Sequence, residues 1–504
     1  MDSSTTMTRT GSTTLAHLLV PSISVLVFGL IFWMSLMFMP QMLNGDGDIG
    51  RHLTVGKWIL DTGQVPTRDI FSDTMPGELS IPHEWLSQVL FALAHRLAGL
   101  NGVAWLTALV LATTYAALAE ALRRFGVNAV LAGVSGIAAS IISAIHQLTR
   151  PHIFTFLFFA LFVIILEHYR RDAKWRMLLF LLPLMLVWAN LHGAFVTGLV
   201  LVGFYAAGAF LDKNYRAVLE LGMLVVALLI VACINPAGVQ LIGNSFGYLQ
   251  GRFLVDMTHE YQSPNFHGVN AFPFLALIAL ALVIGWRVPQ RLSWSGLISV
   301  VGWMAFALYS ARNIPLAASI TLAVIVPIAD DWLARVLPRV KNLLTRLDVQ
   351  DRQASGWIWA GVIVVALIAV EANGIKLDLW NKGNVFDSRR FPIAAVDSFA
   401  SAPPAGAMFN EFTWGGYLLY RLYPTRRVFI DGQTDFYGEA LSREYWQIIN
   451  AQPGWESKLA AHHVRWILIP PTTPLTAWLD QSPNWSRMYQ DETAGVWIKK
   501  ELVE

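Results

Sequence analysis

Two aspartates separated by one glycine follow the first apolar run, in Asn44-Gly-Asp46-Gly-Asp48-Ile-Gly-Arg51-His52. Carboxylates this close can share a hard cation such as Mg²⁺ or Mn²⁺. Alternatively, one acts as general base while the other holds the acceptor. Glycines at 45, 47 and 50 predict a tight turn that aims both carboxylates outward. A plain exposed turn has the same composition. Further polar groups sit at the junctions between apolar runs: His83-Glu84-Trp85, Arg150-Pro151-His152, Asn190-Leu191-His192, His259-Glu260-Tyr261 and Arg312-Asn313. The forks of Arg150 and Arg312 suit a phosphate or pyrophosphate, or they snorkel to lipid headgroups. His192 can donate to a phosphate or serve in packing. Glu260 can reach a cation held by Asp46. The candidate set is therefore Asp46 and Asp48 as catalytic carboxylates, with His52, Glu84, Arg150, His152, Asn190, His192, Glu260 and Arg312 around a substrate. Asp46, Asp48 and Glu260 are the candidate ligands of Mg²⁺ or Mn²⁺.

The elements that must position these residues are membrane helices. Of 504 residues, 55% are hydrophobic and only 14% charged, against about 25% charged in a soluble chain. Spanning takes about 20 apolar residues. Candidate spans fall at 15–39, 104–122, 128–148, 152–169, 177–191, 194–212, 217–235, 271–286, 294–311, 314–334 and 356–372. The first run follows Arg9. It is too long for a signal-peptide core and has no small-residue cleavage site, so it reads as a retained helix. From Glu84 to Leu97 the apolar residues Trp85, Leu86, Val89, Leu90, Leu93 and Leu97 recur at helical spacing, with Glu84, Gln88 and His95 opposite. That pattern predicts an amphipathic helix in the interface; a spanning helix there would invert everything downstream.

Loop charges orient the bundle. With a cytoplasmic N-terminus, the inner loops carry Arg123–Arg124, Arg170–Arg171–Lys174–Arg176, Lys213–Arg216, Arg287–Arg291 and the basic stretch 335–352. The short outer loops hold few cations, as the positive-inside rule requires. The fold expected is mainly α: a polytopic bundle of about eleven spans over residues 1–373, with a long first outer loop at 40–103. Residues 374–504 have ordinary composition and predict a small α/β domain outside the cytoplasm. Its strand-like runs are Val428–Asp431, Trp466–Ile469 and Val496–Lys499, and its helix-like stretches are Ser442–Asn450 and Glu456–His463. In this topology every candidate residue above lies at one membrane face. Ionisable groups at membrane depth mark a functional cavity by default.

Composition also excludes. A net charge of +2 without basic runs interleaved with aromatics argues against a nucleic-acid partner. The single cysteine, Cys233, allows no intrachain disulfide. No phosphate-cradling G-x-x-x-x-G-K-[ST] or zinc-binding H-E-x-x-H occurs.

Asp46-Gly-Asp48 after the first span, the long first loop and the later loop with Glu260 together resemble the GT-C superfamily of membrane glycosyltransferases. Gly47-Asp48-Ile-Gly-Arg51-His52, Asp69-Ile-Phe71-Ser72, His83-Glu84-Trp85, Asn410-Glu-Phe-Thr-Trp414-Gly-Gly-Tyr417 and Phe429-Ile-Asp431-Gly-Gln-Thr-Asp435 are similar to a bacterial branch of it. The resemblance implies a polyprenyl-phosphate-linked sugar donor and an envelope glycan, lipid or protein acceptor, in the inner membrane with the tail periplasmic. It implies inverting transfer, with Asp46 or Asp48 as base and Arg150, His152, His192 or Arg312 against the leaving phosphate. The Trp414-Gly-Gly-Tyr417 stretch lacks the aspartate of the W-W-D-Y-G element of oligosaccharyltransferases and reads as an aromatic core edge with a tight turn. Two other readings stand beside this one: a transporter or flippase of lipid-linked intermediates, and a non-catalytic envelope assembly protein.

Overall fold

In the computed structural model, residues 19–247, 258–352, 354 and 356–500 are described. Positions 15–18 of the first apolar run, and Arg9 before it, lie outside them, as does 248–257 of the second long loop. The chain opens with α1 (Ile23–Met37), the short α2 (Met39–Leu43) and α3 (Asp48–Thr62). Then follow α4 (Trp85–Arg124), α5 (Ala129–Ser143), α6 (His152–Asp172), α7 (Leu181–Leu191), α8 (Val196–Leu211), α9 (Tyr215–Ala232) and α10 (Gln240–Gly247). The remaining bundle helices are α11 (Phe272–Arg287), α12 (Trp294–Tyr309), α13 (Ile314–Val336), α14 (Pro338–Arg352) and α15 (Ile358–Ala372).

Among the described residues, seven helices are long and apolar enough to cross a membrane, and four shorter ones are apolar. All eleven candidate segments therefore carry apolar helices, and the chain is a multi-pass membrane protein. The outer surface is what lipid demands: Leu219, Met223, Val226 and Ile230 form an exposed stripe along α9 at spacings of three and four.

The ambiguous segment is the first part of α4. The helix breaks at Ala98 and Gly99, where Gly99 takes φ +59°, a conformation costly for any residue with a Cβ. A Cβ on Gly102 would lie 1.9 Å from the Ala94 carbonyl oxygen, so the two halves are in close contact. Residues 85–97 thus form a helix of their own before the span. Its polar side faces the protein: Ser87 and Gln88 are buried, whereas Leu93 and Leu97 are exposed.

The tail adds α16 (Ile393–Phe399), β1 (Ala407–Asn410), α17 (Gly415–Leu422), α18 (Thr434–Ile449), α19 (Trp455–Ala461), β2 (Val464–Ile469), α20 (Pro474–Gln481), β3 (Trp485–Gln490) and β4 (Gly495–Lys499). The strands form one mixed sheet in the order β1-β2-β4-β3. β1 runs parallel to β2, with Met408 opposite Trp466; β2 and β3 both pair antiparallel with β4. Strand alternation sends Phe409, Ile467, Ile469 and Trp497 into a core with Tyr445 and Trp455. Met408, Trp466, Leu468 and Val496 point the other way, into the core continuous with the helical bundle. A sheet buried on both faces reads as an apolar run, which is why β2 was visible in sequence.

The expected strand at Val428–Asp431 does not form. This segment makes one isolated bridge, Val428 to Ser72 of the first loop. Val428 N donates to the Phe71 carbonyl (3.1 Å), and Asp73 N donates to that of Val428 (2.9 Å). Its apolar character reflects burial between the tail and the first loop rather than sheet pairing.

Candidate active site

The Asp46-Gly-Asp48 segment is a helix start rather than an outward turn. Asp48 is the first residue of α3, and its backbone N–H donates to Asp46 Oδ1 at 3.1 Å. Helical spacing then places Asp48, Arg51 and His52 together at i, i+3 and i+4. The glycines serve close approach. None of Gly45, Gly47 or Gly50 has positive φ. A Cβ on Gly47 would lie 2.0 Å from the Thr413 oxygen, and one on Gly50 would lie 2.4 Å from the Gly416 oxygen. In turn, a Cβ on Gly416 would meet the Gly47 oxygen at 2.2 Å. The Trp414-Gly-Gly-Tyr417 stretch is therefore the surface on which the start of α3 rests.

Other tail contacts lock this arrangement. Arg51, buried, donates to Asp431 at 2.7 Å and to Gln433, and its guanidinium lies over the Phe71 ring at 5.5 Å. Asn44 donates to the Val385 carbonyl (3.0 Å) and accepts from Asp387 N (2.8 Å). Asp431 thus holds Arg51 and also accepts from Gln433 N at 2.9 Å.

Arg150 is where the candidate acids meet. Its Nη1 lies 2.9 Å from Asp46 Oδ2 and 3.9 Å from Glu260 Oε2, and its Nη2 lies 2.7 Å from Asp48 Oδ2. Glu260 also sits 3.5 Å from His146 Nδ1. Burial works against the Arg150 charge, but Asp46, Asp48, Glu260 and Glu84 together more than offset it. Burial would likewise raise Glu260, yet Arg150 and Arg312 hold it down to about 2. Asp48 goes the other way. Burial drives its carboxyl up, Arg150 pulls it back, and Asp46, Asp431 and Glu84 push again, leaving it at about 7. One carboxylate stays ionised beside another poised at neutral pH, the usual preparation for proton transfer.

Glu84 is the second focus. His192 Nε2, His52 Nδ1 and His83 Nε2 stand 3.6, 3.8 and 3.9 Å from its oxygens. Burial raises the Glu84 carboxyl. His52 is lowered by burial and by Arg150 and Arg51; its Nε2 is buried without a hydrogen-bond partner among the described residues. For His83, burial is outweighed by Glu84 and Asp435, and the ring is raised. Trp188 donates to Thr155 Oγ1 (2.9 Å), and the Thr155 hydroxyl lies 2.8 Å from His192 Nδ1. The tautomer that satisfies all these groups leaves Nε2–H of His192 facing Glu84. A cleft of about 420 Å³, open mouth included, runs between the first loop and the tail. Arg51, Arg68, His83, Glu84, Gln88 and Gln433 are among its lining residues.

Two candidates serve the scaffold. His152 Nε2 lies 2.8 Å from the His146 carbonyl, and the two rings stack at 4.4 Å. Asn190 donates to the Leu186 and Ile234 carbonyls (2.8 and 2.9 Å) and accepts from Trp85 Nε1 (2.7 Å), fixing the start of α4 beside Glu84. Arg312 stacks on Tyr261 at 4.3 Å and pairs with no carboxylate at bonding distance among the described residues. The candidate set left out His83 and His146. His83 adjoins a chosen residue; His146 carried no signal beyond lying near Arg150.

Asp46, Asp48 and Glu260 converge on a guanidinium, not at the mutual spacing of metal ligands. Among the described residues, no three His, Cys, Asp or Glu side chains are arranged to hold a metal ion.

The sequence matches no protein-family model and no curated protein. Solved structures do share the fold. The oligosaccharyltransferase AglB from Archaeoglobus fulgidus, in complex with an inhibitory peptide and a dolichol-phosphate, matches with TM-score 0.62 at 11% identity. That match covers 95% of this chain and 74% of that one. ArnT from Cupriavidus metallidurans, bound to undecaprenyl phosphate, matches with TM-score 0.52 at 14% identity over 97% of this chain and 99% of that one. The Archaeoglobus fulgidus oligosaccharyltransferase in complex with Zn and sulfate matches with TM-score 0.56 at 11% identity, over 89% and 68%. The chain therefore has a GT-C-like fold over most of its length.

Proposed function

We propose that this chain is an integral membrane glycosyltransferase that moves a sugar from a polyprenyl-phosphate-linked donor to a hydroxyl acceptor at the outer face of the membrane. The observation that carries the reading is the meeting of Asp46, Asp48, Glu260 and Arg150, from three distant segments, at one end of a GT-C-like bundle. That end is the outer one in this reading, because the basic loops lie at the other. The division into a bundle of residues 1–373 and an extracytoplasmic domain of residues 374–504 belongs to the same reading.

Asp48 is the base, since its carboxyl is poised near neutrality. It takes the acceptor proton as the acceptor oxygen attacks the anomeric carbon. The bond from that carbon to the phosphate oxygen breaks, and polyprenyl phosphate leaves with the electron pair. A single displacement inverts the anomeric centre. Arg312 supports the leaving phosphate, because among the described residues its guanidinium has no carboxylate to serve at bonding distance. The acceptor enters by the polar cleft that ends at His83 and Glu84.

The test is transfer in proteoliposomes containing labelled polyprenyl-phosphate sugars and envelope extract. Transfer should occur in the wild type and vanish in Asp48→Asn. Full activity in both Asp46→Asn and Asp48→Asn would remove the proposed base. Movement of the donor across the bilayer without transfer would replace the reading with a flippase.

A further inference from the structure

A divalent cation is one of the two readings of the Asp46-Gly-Asp48 pattern, and a solved structure of this fold was obtained in complex with zinc and sulfate. In this chain, a side chain stands between the carboxylates. We propose that the Arg150 guanidinium is the resident cation of the Asp46–Asp48 pair, and that the wild-type chain takes up no divalent metal there.

The contacts are those of a fork. Nη1 serves Asp46 and Nη2 serves Asp48, each through its own oxygen at 2.9 and 2.7 Å. A metal ion binding the same oxygens would have to expel the guanidinium or sit beside it, like charge against like charge. Arg150 is also built into this position. Thr149 N donates to the Met42 carbonyl at 3.0 Å, Arg150 N donates to that of Leu148 at 2.9 Å, and Ile153 N donates to that of Arg150 at 3.2 Å. The Leu148 side chain fills the space over Gly45, where a Cβ would meet it at 2.3 Å. The backbone beneath Arg150 is thus pinned to the turn that carries Asp46.

The nearby imidazoles stand beside carboxylates, and His52 Nε2 has no hydrogen-bond partner among the described residues. His146 faces Glu260, and His52, His83 and His192 face Glu84. Arg150 and Arg312 act against the charges of Asp46, Asp48 and Glu260, leaving one negative charge in excess. A guanidinium orients and neutralises through N–H groups but is no Lewis acid. Arg150 is therefore a positioning residue for Asp48, and the phosphate is left to Arg312.

The metal arm of the test stands apart from the transferase reading. Full-length protein in nanodiscs is titrated with Mn²⁺, and free ion is followed by electron paramagnetic resonance. The wild type should show no uptake that Asp46→Asn or Asp48→Asn removes. Arg150→Gln should take up one Mn²⁺ per chain, lost again in Arg150→Gln/Asp48→Asn. Uptake by the wild type that either aspartate variant abolishes would overturn the proposal, whether or not the arginine variant folds. Arg150→Lys serves as the second variant: an ammonium keeps the charge, so it should also exclude Mn²⁺. In the activity arm, chelator should leave wild-type transfer unchanged. Arg150→Gln should lose about 10²-fold, with part of the loss recovered on adding Mn²⁺. Loss of wild-type transfer on chelation, reversed by Mn²⁺, would also overturn it. If no sugar is transferred under any condition, the proposed function fails while the Mn²⁺ titration still decides this inference.

Discussion

Two clusters of arginine and carboxylate flank α6, one near each end, and they are built on opposite principles. At the C-terminal end, buried Glu167 accepts from Arg170 (2.9 and 2.8 Å), Arg171 (3.4 Å) and the Tyr205 hydroxyl (2.8 Å). Glu120 at the end of α4 is similar, with Arg123, Arg124 and Ser24. Each acid has two cations within one helical turn, so its charge is over-compensated by its own helix. Near the N-terminal end, Arg150 must serve Asp46, Asp48 and Glu260, brought from far along the chain. Here the acids are in excess and one of them sits near neutrality. A carboxylate saturated with donors is held in place. One that is under-compensated can exchange a proton, which is what a general base must do.

The comparison breaks first at Asp48. Asp48→Asn should lower kcat for transfer by about 10²–10⁴-fold, whereas Glu167→Gln should leave it unchanged. Wild-type kcat should rise with pH through about 7, as Asp48 loses its proton, and level off above. Stability follows from the same shift. The folded carboxyl stands at about 7 against an ordinary 3.8. The folded chain therefore holds a proton that the unfolded chain releases. This contribution is complete below about pH 4 and is lost as pH rises through about 7. Asp48→Asn should accordingly melt higher than wild type at pH 8, by the equivalent of about 1–4 kcal/mol, with no such gain at pH 4.

The next effect is steric. A Cβ on Gly432 would lie 1.8 Å from Asp48 Oδ1, so Gly432→Ala should displace the carboxylate and reduce transfer about 10²-fold. Gly203→Ala in α8 meets nothing within 4 Å and should be silent in the same assay.

At the other cluster the readout changes from rate to stability. Glu167→Gln should lower thermal stability by the equivalent of about 2 kcal/mol, as charged hydrogen bonds are replaced by weaker ones. Transfer per folded molecule should hold; a matching fall in kcat would erase the distinction between the clusters. The smallest effect belongs to Arg124, whose side chain is 65% exposed. Arg124→Ala should change stability by no more than about 0.5 kcal/mol, measured by melting in the same nanodiscs.

Much of the fold was legible before any coordinates. Apolar run length is a local property, and the bilayer reads it locally, so the eleven segments stood out. β2 and β4 were visible as apolar stretches, whereas β3, largely exposed on both faces, and the short β1 gave no pattern. The segment 428–431 misled because burial between first loop and tail produces the same apolar run as a strand. Asp46, Asp48, Glu84, Arg150, His192 and Glu260 were chosen for residue type and position at helix junctions, and the structure gathers them around two foci. His152 and Asn190 had the same types and positions, but His152 Nε2 and Asn190 Nδ2 lie against backbone carbonyls and Asn190 Oδ1 accepts from Trp85.

Residue chemistry and hydrophobic periodicity thus determined, by themselves, that this is a many-helix membrane chain with its candidate site residues at helix junctions. Only the tertiary structure decided which acid meets which cation. Arg150 is 104 positions from Asp46, and Arg51 is 380 from Asp431. Such pairings depend on loops closed by packing, and no local pattern encodes them. The glycines make the same point: read locally they suggested a turn, while in the folded chain they let α3 and α17 touch backbone to backbone and so set where Asp48 points.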